Sequence, residues 1–385
     1  MSTSLTTMIR LRGIQNKMRQ LIESLDDRTF RTQFHSDLSP AGWHLGHCAF
    51  IEDFWLHEVI QENKKFTKKL KKIYLPENCP IHKRAKKLPD STKLLNEVHR
   101  QQDENDLLLI EMTPPLSEHP LFRDEYIQNY LIQHYARHYE IIQMIINQAG
   151  LQQEDPDFIP QQTLNAKSVT IDAEQIPSGN YEIGGEPPFA YDNELPKHTV
   201  KLETFNIAAQ PVSNAEYLAF IEDQGYTNTT HWSEEAQQWL TAHGASHPEH
   251  WRKNKNHDWY GLNDQGAFEL NDNDPVYGIN HYEASAFAHW ANARLPHEHE
   301  WETCAKLEQL QNTGNIWEWC TNIFKAYNDF RSFPDNKSES DFDNKHYVLK
   351  GATQFTRPEI KRASYRNHYP AEKRHIFAGL RLVFE

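Results

Sequence analysis

Apolar residues recur every three to four positions along four long stretches in the first 150 residues, and after them the pattern changes to short alternating runs. Leu5, Met8, Ile9, Leu11, Ile14, Met18, Leu21, Ile22 and Leu25 predict a helix over residues 5–25. Ser39 is a candidate N-cap with Pro40 at the first helical position, and the helix that follows runs to about Ile60. Within it Trp43, His47, Phe50, Phe54 and Glu58 repeat at helical spacing. The stretch from Lys64 to Lys87 reads as a basic loop. Leu88 to Ser91 looks like a helix start, and this third helix runs to about Met112, before the breaker Thr113-Pro114-Pro115. A fourth helix begins near Leu121 and includes Gln128 to Ile146. Four such helices with one long crossover predict a four-helix bundle, a fold whose facing side chains can build a metal site.

Beyond Gly150 the texture is different. DPDFIPQQ reads as a linker, and strand-like runs follow at residues 168–176, 180–185 and 198–208. Short helices are expected at 214–224 and 282–293. This half is predicted to be a mixed, loop-rich α/β domain.

The chemistry-bearing residues sit on the predicted helices. His134 and His138 are four apart, so they share one face, with Glu140 rotated away. His47 lies in the middle of the second helix's apolar stripe, with His44 and His57 nearer its edges. A polar residue in such a stripe needs a partner or a task. Two imidazoles at i and i+4 commonly present nitrogens to one metal. Taken alone, each of these histidines reads more readily as an ordinary helix residue, packed or solvated. The basic cluster at Lys83–Lys87 reads as a solvated face, or as an anion-recognition element in which Arg84 and Lys87 take part.

Composition narrows the classes. The chain has 385 residues, 38% hydrophobic and 12% aromatic, enough for two domains with real cores. Its net charge of −14 argues against a nucleic-acid-binding surface. Four cysteines show no paired or zinc-type spacing, which suits a reducing, cytoplasmic setting. The first residues lack a signal-type apolar core, and no window is long and apolar enough for a membrane span, so no membrane partner is expected.

LSPAGWHLGH together with HYARHYE resembles the DinB-type helical part of the nonheme iron sulfoxide synthases, which make ergothioneine and ovothiol. The second half is similar to the domain shared with formylglycine-generating enzyme, a modified C-type-lectin fold. The matching stretches include PVSNAEYLAFIEDQGY, RLPHEHEWE, GNIWEW, YRNHYPAEKR and FAGLRL. The resemblance implies an α+β multidomain protein with a DinB-like bundle over 1–155 and the lectin-like domain over 156–385.

Carried over residue by residue, the resemblance makes His47, His134 and His138 the ligands of Fe(II), with Glu140 in the motif but not a ligand. It implies oxidative joining of a cysteine-type thiol to a histidine-derived imidazole with O2. Tyr327, in the loop after GNIWEW, is the candidate donor of a proton or hydrogen atom. Arg366, Asn367, His368 and Arg374 fall in the substrate-contacting C-terminal stretch, although Arg366 reads equally as a structural ion-pair residue. Arg137 stands where the family often has a neutral amide, and is expected to contact a substrate carboxylate or to alter imidazole choice. The chain also departs from one branch at His368-Tyr369, where that branch has Trp-Asp. Other readings stay open: selenoneine-type C–Se bond formation, another iron oxidase of the formylglycine-generating-enzyme superfamily, a DinB-type thiol transferase and a non-catalytic binding module. The C-terminal part has no cysteine after Cys320, which argues against formylglycine generation itself.

Overall fold

The computed structural model describes residues 3–112, 116–335 and 337–384. The chain folds as two units. One is Met1–Ala149 joined by Pro187–Phe189 and Phe355–Ile360; the other is Gly150–Glu186, Ala190–Gln354 and Lys361–Glu385.

Among the described residues, seven helices form the helical unit: α1 (Leu5–Glu23), α2 (Asp27–Arg31), α3 (Ala41–Asp53), α4 (Lys71–Tyr74), α5 (Ile81–Lys87), α6 (Ser91–Ile110) and α7 (Tyr126–Gly150), the last ending at the unit boundary. The long ones follow the periodicity. In α1 the buried stripe is Leu11, Ile14, Met18 and Ile22, and the Ser4 hydroxyl caps the helix by accepting from the Thr7 N–H at 3.3 Å. The Asp90 carboxylate caps α6 through the Lys93 N–H at 2.8 Å.

Several expectations change. The α3 cap residue is Pro40, with no side-chain cap; Ser39 instead accepts from the Arg84 guanidinium at 2.5 Å, a charged donor that outcompetes a backbone amide. The helix does reach Ile60, through a wider π-type turn over Phe54–Ile60. The basic loop contains α4 and α5. The fourth helix starts at Tyr126, because Pro120–Glu125 is a 3-10 turn broken where Asp124 takes a φ of 53°. The breaker Thr113-Pro114-Pro115 lies outside the described residues.

The second unit is built on short strands: β1 (Ala173–Ile176), β2 (Gly179–Ile183), β3 (His198–Leu202), β4 (Phe205–Ala208), β5 (Trp251–Lys253), β6 (Trp259–Asn263), β7 (Gly266–Phe268), β8 (Trp317–Ile323), β9 (His346–Gly351), β10 (Asn367–Pro370), β11 (Ala378–Gly379) and β12 (Val383–Phe384). They make a central sheet in the order β10-β9-β8-β11, two three-stranded sheets, β1-β4-β12 and β5-β6-β7, and the hairpin β2-β3. The predicted strand over 198–208 is two strands, β3 and β4, separated at Glu203–Thr204. Helices α8 (Asn214–Glu222) and α10 (His281–Trp290) stand where the sequence places them; α9 (Glu234–His243), α11 (Glu298–Lys306) and α12 (Lys337–Asp341) were not foreseen. GNIWEW owes its form to burial. Trp317, Glu318 and Trp319 on β8 are all inaccessible to solvent. Glu318 is held by the Arg381 guanidinium at 2.7 and 2.9 Å and by the Trp301 indole at 2.7 Å.

Candidate metal centre

Helix α3 carries His44 and His47, and α7 carries His134 and His138. One ring nitrogen from each of His47, His134 and His138 lies within 4.8 Å of the other two, and all three residues are buried. Their ring centres are 4.5 to 5.2 Å apart. Glu140 is turned away, its carboxylate accepting from the Thr356 hydroxyl at 2.8 Å.

Hydrogen bonds decide which nitrogen each ring presents. A carbonyl can only accept, so His47 Nδ1 donates its proton to the Tyr74 carbonyl at 2.8 Å and leaves Nε2 as the lone-pair donor. Close approach of α3 to the Tyr74 segment depends on Gly46, where a Cβ would sit 2.2 Å from the Tyr74 ring. Trp43 stacks on His47 at 4.7 Å and donates its indole N–H to the Ile73 carbonyl at 2.7 Å. His138 Nδ1 is 2.9 Å from His44 Nδ1, which engages that nitrogen of the ring.

Below this cluster the bundle core is polar. Glu52 accepts from Gln15 (2.9 Å), Asn105 (2.9 Å) and Tyr135 (2.8 Å), and burial pushes its carboxyl up to about 7 against those hydrogen bonds. The Tyr135 phenol also accepts from Gln102 at 3.0 Å, which locks the α7 segment next to His134 to α3 and α6.

A divalent transition metal fits this donor set. Three buried imidazoles converge, two of them have a second nitrogen engaged, and among the described residues the group includes no carboxylate.

The remaining positions singled out from the sequence are divided between the two units. Arg84 lies over the Trp43 ring at 3.9 Å and donates to the Cys79 carbonyl at 2.9 Å, bracing the ring that stacks on His47. Lys87 is exposed, with its ammonium on the Lys72 carbonyl at 2.6 Å. Arg137 is half-buried on α7, one turn from His134.

The others belong to the second unit. Arg366 makes a buried forked pair with Glu298 at 2.7 and 2.8 Å and donates to the carbonyls of Asn193 and Lys325, the structural alternative for this residue. Arg374 pairs with buried Glu283 at 2.9 Å. Asn367 accepts from the His368 N–H at 3.0 Å. His368 stacks on Phe324 at 3.9 Å and reaches Asp341 at 3.1 Å, so the departure at this position has a packing role.

Tyr327 lies under the Arg366 guanidinium, 4.1 Å from its ring centre, with its hydroxyl 3.4 Å from Glu298; burial pushes the phenol well above its ordinary pKa. It borders a cavity of about 470 Å3 shared with His198, His297, His299, Tyr347 and Arg366. The three histidines were missed in the sequence. The signal was present in RLPHEHEWE, where His297 and His299 flank Glu298; His297 caps α11 by accepting from the His299 N–H at 3.1 Å.

Residues 160–313 and 306–385 match the sulfatase-modifying factor enzyme 1-like domain, and residues 10–142 match the DinB superfamily. The chain belongs to the sulfatase-modifying factor enzyme 1-like family. It pairs that domain with a DinB helical domain, the combination of the nonheme iron sulfoxide synthase family. Over nearly its whole length it is 24% identical to a hercynine oxygenase of Mycolicibacterium thermoresistibile, covering 96% of this chain and 93% of that protein. With the hercynine oxygenase of Mycobacterium tuberculosis it shares 28% identity over 52% of this chain and 57% of that protein. Ergothioneine biosynthesis protein 1 of Schizosaccharomyces pombe is 27% identical over 51% of this chain, which spans 27% of that longer protein. Among the described residues, no helix is long and apolar enough to cross a membrane.

Proposed function

We propose that this chain is a nonheme iron- and dioxygen-dependent oxidoreductase that joins a cysteine-type thiol to a histidine-derived imidazole. The observation that carries this reading is the buried cluster of His47, His134 and His138, and the names of its relatives support it. The balance is R–SH plus an imidazole C–H plus O2 giving R–S(O)–imidazole plus H2O. The new C–S bond and the S=O bond each remove two electrons from the substrates, and the four electrons reduce dioxygen, one oxygen ending on sulfur and the other in water. Iron(II), bound by neutral imidazoles that leave its charge uncompensated, supplies the open positions that oxygen chemistry requires.

The protein's part is to hold and to orient. The Tyr74 carbonyl fixes the His47 ring, Trp43 packs its face, and the Glu52 network fixes α7 beside His134. Tyr327 holds its proton at neutral pH, as a proton or hydrogen-atom donor must. Arg137, half-buried near His134, is the residue assigned to a substrate carboxylate. Arg366 and Arg374 are assigned to their glutamates.

Oxygen uptake by iron-loaded protein is the test, with cysteine or γ-glutamylcysteine offered together with histidine or its trimethylated form. Uptake that requires both partners, with a product heavier than their sum by the gain of one oxygen and the loss of two hydrogens, is expected. Metal-dependent thiol transfer without oxygen uptake would replace this reading with the DinB-type transferase.

A further inference from the structure

The hydrogen bond between His44 and His138 joins two Nδ1 atoms at 2.9 Å, and both residues are buried. Such a bond holds one proton, and its location matters. If His44 Nδ1 donates, neutral His138 carries its own proton on Nε2 and has no lone pair there. If His138 Nδ1 donates, Nε2 is free to bind a metal and the His44 proton is on Nε2. In that tautomer His44 Nε2–H is buried with no acceptor among the described residues, a cost that the metal bond on His138 has to offset.

We propose that His44 is a positioning residue of the metal centre, accepting from His138 Nδ1–H and so holding His138 in the tautomer and orientation that present Nε2. The inference rests on the reading of His47, His134 and His138 as metal ligands. The first two turns of α3 thereby supply one supporting residue and one ligand, three positions apart on one face, with the Tyr74 carbonyl doing for His47 what His44 does for His138.

Zinc(II) binding to the full chain, measured by chelator competition, tests the idea without any oxygen chemistry. His44→Leu fills the volume but accepts nothing, and should weaken binding by about 10–100-fold, the usual loss when a ligand's outer partner is removed. His44→Asn places Oδ1 where Nδ1 stood, and should restore most of the affinity. Melting of the metal-free variants monitors the fold separately. Nitrogen NMR of labelled histidines in the zinc-loaded wild type should show His138 protonated on Nδ1 and His44 on Nε2. Wild-type affinity in His44→Leu, equal losses in the Leu and Asn variants, or a His44 proton on Nδ1 would each overturn the proposal. Failure of the wild type to bind zinc or iron would instead overturn the metal centre itself.

Discussion

The two units bury polar groups in opposite ways. The helical unit gathers imidazoles, and carboxyls with raised pKa: His44, His47, His134 and His138 cluster, and Glu52 sits among amides and a phenol with its carboxyl raised to about 7. The second unit buries opposite charges in pairs. Arg381–Glu318, Arg366–Glu298 and Lys350–Glu302 are pairs in which neither side chain is more than 3% exposed. A buried ion pair satisfies itself and leaves little to offer a ligand. A buried group of neutral imidazoles lacks a positive charge that a cation can supply. The candidate metal site thus falls in the helical unit, while Arg381, Arg366 and Lys350 of the second unit are engaged with buried carboxylates.

Breaking a charged pair should have the largest effect. Glu318→Gln leaves the Arg381 guanidinium buried without its counter-ion, and should cost about 3–5 kcal/mol in chemical denaturation. A loss below about 1 kcal/mol, the level of a surface pair, would remove the contrast between the units.

The pH dependence sharpens the same contrast, with opposite signs. Burial raises the Glu52 carboxyl from 4.5 to about 7, so its contribution is complete below pH 4.5 and is lost as pH rises through 7. Burial alone would raise Glu298, but the Arg366 guanidinium outweighs it and holds the carboxyl at about 2; its contribution is present above pH 4.5 and is lost as pH falls through 2. Each amounts to about 3 kcal/mol. Relative to wild type, Glu52→Gln should therefore gain stability between pH 5 and 8, as measured by denaturant titration at both values. An unchanged difference would mean that Glu52 is ionised in the folded bundle.

Arg137→Gln should have the smallest effect: near-wild-type stability, with a shifted preference among histidine, its methylated forms and other imidazoles in competition turnover. Unchanged preference would make Arg137 a bystander.

Much of this was legible in the sequence, for identifiable reasons. His134 and His138 share a face because four residues make about one helical turn, and His47 stood out as a polar residue inside an apolar stripe. Partners distant in the chain left no such trace. Glu298 is 68 positions from Arg366, and Glu283 is 91 from Arg374, so the carboxylates that these arginines pair with could not be read from the sequence. His44 was visible on the right face of α3, but its role depends on a nitrogen 94 residues away. The Ser39 cap failed because Arg84, from the basic segment, takes its hydroxyl.

The central claim is that the helical unit's neutral imidazoles hold the reactive metal. Anaerobic titration of Fe(II) into wild type and His138→Ala, with bound iron counted after gel filtration, tests it most directly. One iron per chain in the wild type and none retained by His138→Ala is the predicted result. Equal stoichiometric binding in both would contradict it.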